Sequence, residues 1–207
     1  MPNHHYYQEN QDGLASNPAV FDFYFRNQKF KFHTDDGVFS KSYIDYGSFA
    51  LLKAFIPNDL NGPILDMGSG YGPIGIVLSK LYQKEIFMCE INERAYQLSI
   101  QNIAENQAIL AHVYHSNLFE KLNQDLRFAS IVTNPPIRAG KQVVYAIYEG
   151  AYERLLPGGE LWVVIQKKQG APSSKEYLTQ LFGNCEIIAR DKGYYILKST
   201  RANVCEK

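Results

Sequence analysis

The stretch Pro63-Ile-Leu-Asp-Met-Gly-Ser-Gly-Tyr-Gly-Pro-Ile-Gly-Ile76 restricts what this chain can fold into more than any other. Ile64 and Leu65 form a short apolar run between Gly62-Pro63 and a glycine cluster, the pattern of a buried strand. Gly68, Gly70 and Gly72 then turn the chain, and from Pro73 to Lys80 the apolar spacing becomes helical. Pro73 falls just inside that helix, where its missing N–H costs nothing. Strand, glycine turn and helix make a nucleotide-binding arrangement, because glycines let a ligand approach the backbone. The loop has no Lys-Ser/Thr ending and so is not a phosphate-cradling P-loop. Asp66 closes the strand. A second strand, Glu85-Ile-Phe-Met-Cys-Glu90, ends in an acidic residue at the spacing expected of a ribose-binding carboxylate.

The remaining chain fits an α/β pattern. Residues 1–18 read as a flexible tail ending at Asn17-Pro18, and 19–207 as a single domain that opens with a β-hairpin over 19–36. In that hairpin two alternating aromatic runs flank Arg26-Asn27-Gln28, and the aromatic face is expected to pack on the domain body. A helix is expected from Ser48 to Phe55, with Ser48 as its N-cap. Helices over 92–106, 142–156 and 173–182 alternate with strands over 113–115, 128–133 and 160–165. Leu155-Leu-Pro-Gly-Gly159 reads as a turn, and 185–198 as a closing hairpin. The alternation predicts a mainly parallel sheet covered on both faces, with an antiparallel edge.

Composition narrows the function. The 207 residues suit one domain, and 45% hydrophobic and 14% aromatic residues can fill its core. With 21 basic and 21 acidic residues, nucleic-acid binding by bulk charge is excluded, although a local basic patch is not. Cys89, Cys185 and Cys205 form no CxxC pair, so no metal site or disulfide framework is indicated and a cytoplasmic setting is expected. No apolar run reaches membrane-spanning length.

A second motif, Asn134-Pro135-Pro136-Ile137, follows an apolar strand. In such sheets ligands bind beyond the carboxyl ends of the strands, so this loop and Asp66–Gly72 should face one crevice. The two prolines remove backbone donors, and Pro135 restrains Asn134. The Asn134 side-chain oxygen and the Pro135 carbonyl then form a rigid acceptor pair suited to a planar amino group. No His or acidic base stands beside the motif in sequence.

Together, Asp66-x-Gly68-x-Gly70-x-Gly72, Glu90 and Asn134-Pro135-Pro136 resemble class I S-adenosylmethionine-dependent methyltransferases of the branch that methylates amino groups on planar systems. Gly37–Ser40 with Asp45–Ser48, Thr133–Lys141 and Leu156–Gly170 are similar to the catalytic domain of bacterial 16S ribosomal RNA guanine-N2 methyltransferases. The resemblance implies a Rossmann-like, seven-stranded sheet whose last strand is antiparallel, with S-adenosylmethionine as cofactor, 16S rRNA or the small ribosomal subunit as partner, and neither metal nor membrane involved. It places Gly68, Ser69, Gly70, Tyr71 and Gly72 along the methionine and ribose, and Asp66 near the methionine end or behind the loop. Glu90 would take the ribose hydroxyls, with Asn92 beside it, and Ile91, Asn117 and Leu118 would border the adenine. Asn134, Pro135, Pro136 and Ile137 would form the catalytic loop. Many relatives carry Asp at position 117 and an aromatic residue at 137.

Arg138 and Lys141 are expected to hold phosphates, and Lys167-Lys168 could extend that basic rim. Asp45 and Ser48 either line the cofactor mouth or start the helix. The two-domain relatives carry an extra N-terminal domain, so this chain is expected to be the catalytic unit alone. A protein glutamine methyltransferase using the same loop, and a non-catalytic RNA- or cofactor-binding module, stay open as alternatives.

Overall fold

The computed structural model describes residues 16–38 and 43–203. The expected contributions of Phe39, Ser40, Lys41 and Cys205, and of the tail up to residue 15, lie outside the described residues. Ser16 and Asn17, placed in the tail by the sequence, both donate to the Asp35 carboxylate.

The hairpin forms from β1 (Ala19–Phe25) and β2 (Gln28–Thr34). Arg26 and Asn27 both take left-handed φ, 45° and 62°, so the turn has two residues and Gln28 already belongs to β2. Phe21 and Phe32 meet Tyr71 edge-on, while Phe23 and Phe25 meet Phe49. The aromatic face therefore packs on the domain body, as its alternation predicts.

Helix α1 (Tyr46–Ala54) precedes β3 (Ile64–Met67), and α2 (Pro73–Tyr82), β4 (Ile86–Glu90), α3 (Glu93–Glu105) and β5 (Ala111–His115) follow. The N-cap of α1 is Asp45 rather than Ser48: the Asp45 carboxylate accepts from the Ser48 N–H at 3.1 Å. An aspartate reaching three residues ahead satisfies a first-turn donor, which leaves the Ser48 hydroxyl available elsewhere.

Then come β6 (Phe128–Thr133), α4 (Lys141–Arg154), β7 (Leu155–Gln166), α5 (Ala171–Phe182), β8 (Glu186–Asp191) and β9 (Tyr194–Thr200). Leu155–Gly159 is not a turn. Leu155 is already extended, and the Pro157-Gly158-Gly159 segment enters β7 as a bulge opposite β6. Its backbone groups are satisfied by Arg201, whose carbonyl accepts from Gly158 N and whose N–H donates to Gly159 O, both at 2.9 Å.

The large sheet has the order β5-β4-β3-β6-β7-β9-β8. All neighbouring pairs from β5 to β7 are parallel, and β9 is antiparallel to both β7 and β8. The last strand thus inserts inside the sheet and leaves β8 at the edge. One face carries the hairpin, α1, α2 and the apolar side of α3; the other carries α4 and α5. Helix α2 lies close to the sheet because Gly75 has no side chain: a Cβ there would come within 2.3 Å of the Met88 sulfur. The chain leaves β3 toward β4 and returns past it to β6, so the crevice opens beyond the carboxyl ends of these three strands.

Candidate active site

The glycine loop leaves β3 at the floor of the crevice. Gly68 and Gly70 take φ of 73° and 59°, a region that favours glycine, and a Cβ on either would meet nothing within 4 Å. The loop is tied to β4, with Gly68 N and Ser69 N both donating to the Cys89 carbonyl. Glu90 adds the stronger brace: one carboxylate oxygen accepts from Gly70 N and the other from Asn92 N, both at 2.8 Å. The Ile91 N–H also bonds this carboxylate, which offers about four lone-pair positions, so about one is left for a ligand. Burial pushes the Glu90 carboxyl above the usual range, against the pull of the backbone donors.

Asp66 is fully buried under the loop. One of its oxygens accepts from Gly75 N at 2.9 Å in the first turn of α2, and the other has no partner. Burial first, and then the Glu90 charge, push its pKa up to about 7. It orients the loop and helix and does not line the crevice. Gly72 also lies away from the crevice, as the N-cap of α2, where a Cβ would press on Ile76 and on Ser99 of α3.

The crevice is lined by Gly68, Ser69, Gly70, Tyr71, Glu90 and Asn92 on one side, with Asp45, Ser48, Asn134, Pro135 and Pro136 opposite. The Ser69 hydroxyl is buried there without a partner. A shallow side hollow shares Gly68, Glu90 and Pro136 with it and is lined by Ile91, Ser116 and Leu118. Asn117 is not part of it. Leu118 takes a left-handed φ of 49°, and the turn sends the exposed Asn117 amide outward to Glu120 at 2.8 Å.

Asn134 follows β6, whose last residue, Thr133, donates its hydroxyl to the Met67 carbonyl at 2.8 Å. The Asn134 Nδ2 donates to Asp45 Oδ1 and to Ser48 Oγ, each at 3.1 Å. The expectation of no acidic group beside the motif is therefore corrected. Asp45 comes from 89 residues earlier in the chain, a distance no local pattern spans. Burial raises the Asp45 pKa.

Ile137 and exposed Arg138 lie on a single 3-10 turn, and Lys141 begins α4. Ile137 and Lys141 border a separate, smaller hollow with Tyr145, Gln169 and Ser173, next to exposed Lys167 and Lys168. Sequence reasoning missed Ser99, which donates to the Gly70 carbonyl, and Asn102, which donates to the Tyr71 carbonyl, both at 2.9 Å. It also missed His115, whose Nε2 donates to the Ile91 carbonyl at 2.8 Å while Nδ1 meets Glu93 at 3.1 Å. Among the described residues, no cluster of His, Cys, Asp and Glu could hold a metal, and no helix is long and apolar enough to cross a membrane.

The family model "Methyltransferase small domain" matches residues 29–198. An uncharacterized Bacillus subtilis (strain 168) protein, YbxB, is 46% identical over 95% of this chain and 98% of its own length. Ribosomal RNA small subunit methyltransferase C of Vibrio cholerae is 34% identical over 77% of this chain and 46% of that protein. Among solved structures, a T. thermophilus 16S rRNA N2 methyltransferase in complex with AdoMet and guanosine superposes with a TM-score of 0.80 at 28% identity, covering 91% of this chain and 52% of that one. The chain thus spans about half the length of these named methyltransferases.

Proposed function

The chain belongs to the methyltransferase small-domain family, and from that premise we propose that it methylates an exocyclic amino group, guanine N2 of 16S ribosomal RNA, using S-adenosylmethionine. The cofactor is the part that the family and the AdoMet-bound relative establish. The residues present fit it. Gly68 and Gly70 leave room against the backbone, the buried Ser69 hydroxyl lacks a partner, and Glu90 keeps acceptor capacity at the crevice. The N-terminus of α2 adds a favourable field for a carboxylate. Ile91 and Leu118 would border the adenine at the side hollow next to the crevice.

One observation carries the reading of the acceptor group. Asn134 and Pro135 line the same crevice as the glycine loop, and the Asn134 amide hydrogens already have protein partners. Its Oδ1 and the Pro135 carbonyl can therefore accept both hydrogens of a planar amine. Bound S-adenosylmethionine supplies a methyl group on a sulfonium, which leaves as a neutral thioether. The two acceptors hold the amine in line and draw its nitrogen toward tetrahedral geometry, freeing a lone pair otherwise delocalised into the ring. The displaced proton leaves to water. Ile137 offers apolar contact to the base, and Arg138 and Lys141 stand where flanking phosphates would lie. The choice of guanine N2 is supported by the similarity to a 16S rRNA N2 methyltransferase solved with guanosine.

The test uses tritiated S-adenosylmethionine and 30S subunits from a strain lacking the protein, followed by nucleoside analysis. Labelled N2-methylguanosine is expected, and Asn134→Ala should lower kcat by about 2–4 kcal/mol of barrier. Label in protein glutamine instead would overturn the RNA assignment.

A further inference from the structure

We propose that Asp45 and Ser48 form a lock that fixes the Asn134 carboxamide in one of its two orientations, so that the crevice meets an acceptor and never a donor. A terminal amide can turn over about its last bond at little intrinsic cost, exchanging its oxygen and nitrogen. Here one orientation is excluded. As placed, Nδ2 donates to the Asp45 carboxylate and to the Ser48 hydroxyl oxygen, both at 3.1 Å. Turned over, Asn134 would set its own oxygen against the carboxylate and send two donors into the crevice. The bond to Asp45 would become a contact between two acceptors, and Ser48 could bond the turned amide only by withdrawing its hydroxyl hydrogen from Asp45.

The lock is itself held. Asp45 Oδ1 accepts from Ser48 N at 3.1 Å as the cap of α1, and Ser48 also gives its side-chain hydroxyl to Asp45. Gly47 makes room for this: a Cβ there would lie 3.0 Å from Asp45 Oδ1 and 3.0 Å from the Tyr194 ring. Asp45-Tyr46-Gly47-Ser48 is thus a unit that caps a helix with one hand and sets the polarity of the catalytic loop with the other. An acceptor-only Asn134 takes a substrate atom bearing hydrogen, an amine, and rejects a carbonyl oxygen or bare ring nitrogen. The catalytic consequence rests on the methyl-transfer reading above; the orientation of the amide does not.

The experiment therefore has two readouts. In full-length protein labelled with 15N-asparagine, Asn134 side-chain hydrogens should exchange with solvent at least about tenfold more slowly than in Asp45→Ser/Ser48→Ala. Serine keeps the helix cap but is too short to hold Asn134, so loss of the lock is separated from loss of the fold. Asp45→Asn, whose oxygen can serve both Ser48 N and Asn134, should restore the slow exchange. In methyl transfer, Asp45→Ser should lower kcat about 10- to 100-fold with the S-adenosylmethionine Kd unmoved. In an Asn134→Ala background it should add nothing, since Asp45 acts through Asn134. Equal exchange in wild type and Asp45→Ser/Ser48→Ala overturns the lock. Additive losses in the double variant overturn the positioning role. Slow exchange in a protein that methylates no RNA would uphold the lock and remove the proposed function.

Discussion

Asp66 illustrates how a residue can be legible in type while the sequence leaves its role open between two places. A carboxylate before the glycines marks the nucleotide-binding loop, but it sits beneath the loop, bonded to Gly75 N, with its second oxygen unsatisfied. The side chain alternates inward along β3, and Gly75 brings α2 down over it, so it is sealed from the crevice. Its pKa of about 7 in the folded state stands above the ordinary aspartate value of 3.8. The folded protein therefore holds a proton that the unfolded chain releases. This contribution to stability is full below pH 4, declines as the pH rises toward 7, and is gone above it. The span corresponds to something on the order of 4 kcal/mol. Glu90 is shifted in the same direction and adds to the slope. Urea midpoints should therefore fall between about pH 4 and pH 7, and Asp66→Asn, which still accepts from Gly75, should flatten that fall. An unchanged slope in the variant would show that Asp66 is ionised throughout.

Elements were legible where their apolar period was clean. Strands β3, β4 and β6 and the helices between them follow from runs such as Phe128–Thr133, and the hairpin follows from its alternating phenylalanines. What was not legible is the polar stripe on α3. Ser99, Asn102 and Asn106 look like a solvent-facing side beside Ala95, Leu98 and Ile103, yet all three are buried. The Asn102 amide accepts from His33 N and donates to His33 O, and the Asn106 amide does the same for Lys31. Spaced four apart on the helix, they meet residues two apart on β2, and so complete the open edge of the hairpin as another strand would. Such a match between a helix and a strand remote in sequence leaves no local signature. Asn102 also donates to the Tyr71 carbonyl, so the same helix steadies both hairpin and glycine loop. Replacing either asparagine by alanine should cost roughly 2–3 kcal/mol in urea unfolding, through buried backbone groups left unpaired. Asn102→Ala alone should also raise the S-adenosylmethionine Kd, because only Asn102 reaches the loop. An equal effect of Asn106→Ala on binding would mean that the hairpin, not the Tyr71 hydrogen bond, governs the loop.

At the scale of the whole molecule, the crevice and the basic residues lie at one end of the sheet. Arg138 and Lys141 follow β6, and Lys167 and Lys168 follow β7, its neighbour in the sheet. The formal net charge of zero gives no general attraction for RNA, so attraction has to be local. That arrangement makes this end of the sheet the face that would approach an RNA strand, with Asn134 recessed between the loop and the lysines. A base inside a paired region would have to leave its stack to reach Asn134. In the proposed reading the lysines would act on the backbone beside it, which would position the strand without reading its sequence. Neutralising Lys141, Lys167 and Lys168 together should raise the KM for RNA and make it less sensitive to salt. The slope of log affinity against log salt should fall by about one for each phosphate that no longer meets a lysine. S-adenosylmethionine binding, which depends on the far side of the crevice, should keep its Kd. Competition filter binding of 16S rRNA at several salt concentrations measures the affinity and its salt slope on the same variant. An unchanged salt slope would move the RNA off this rim and leave the outer face of the hairpin, with Tyr24, Lys29 and Lys31 exposed, as the surface to test next.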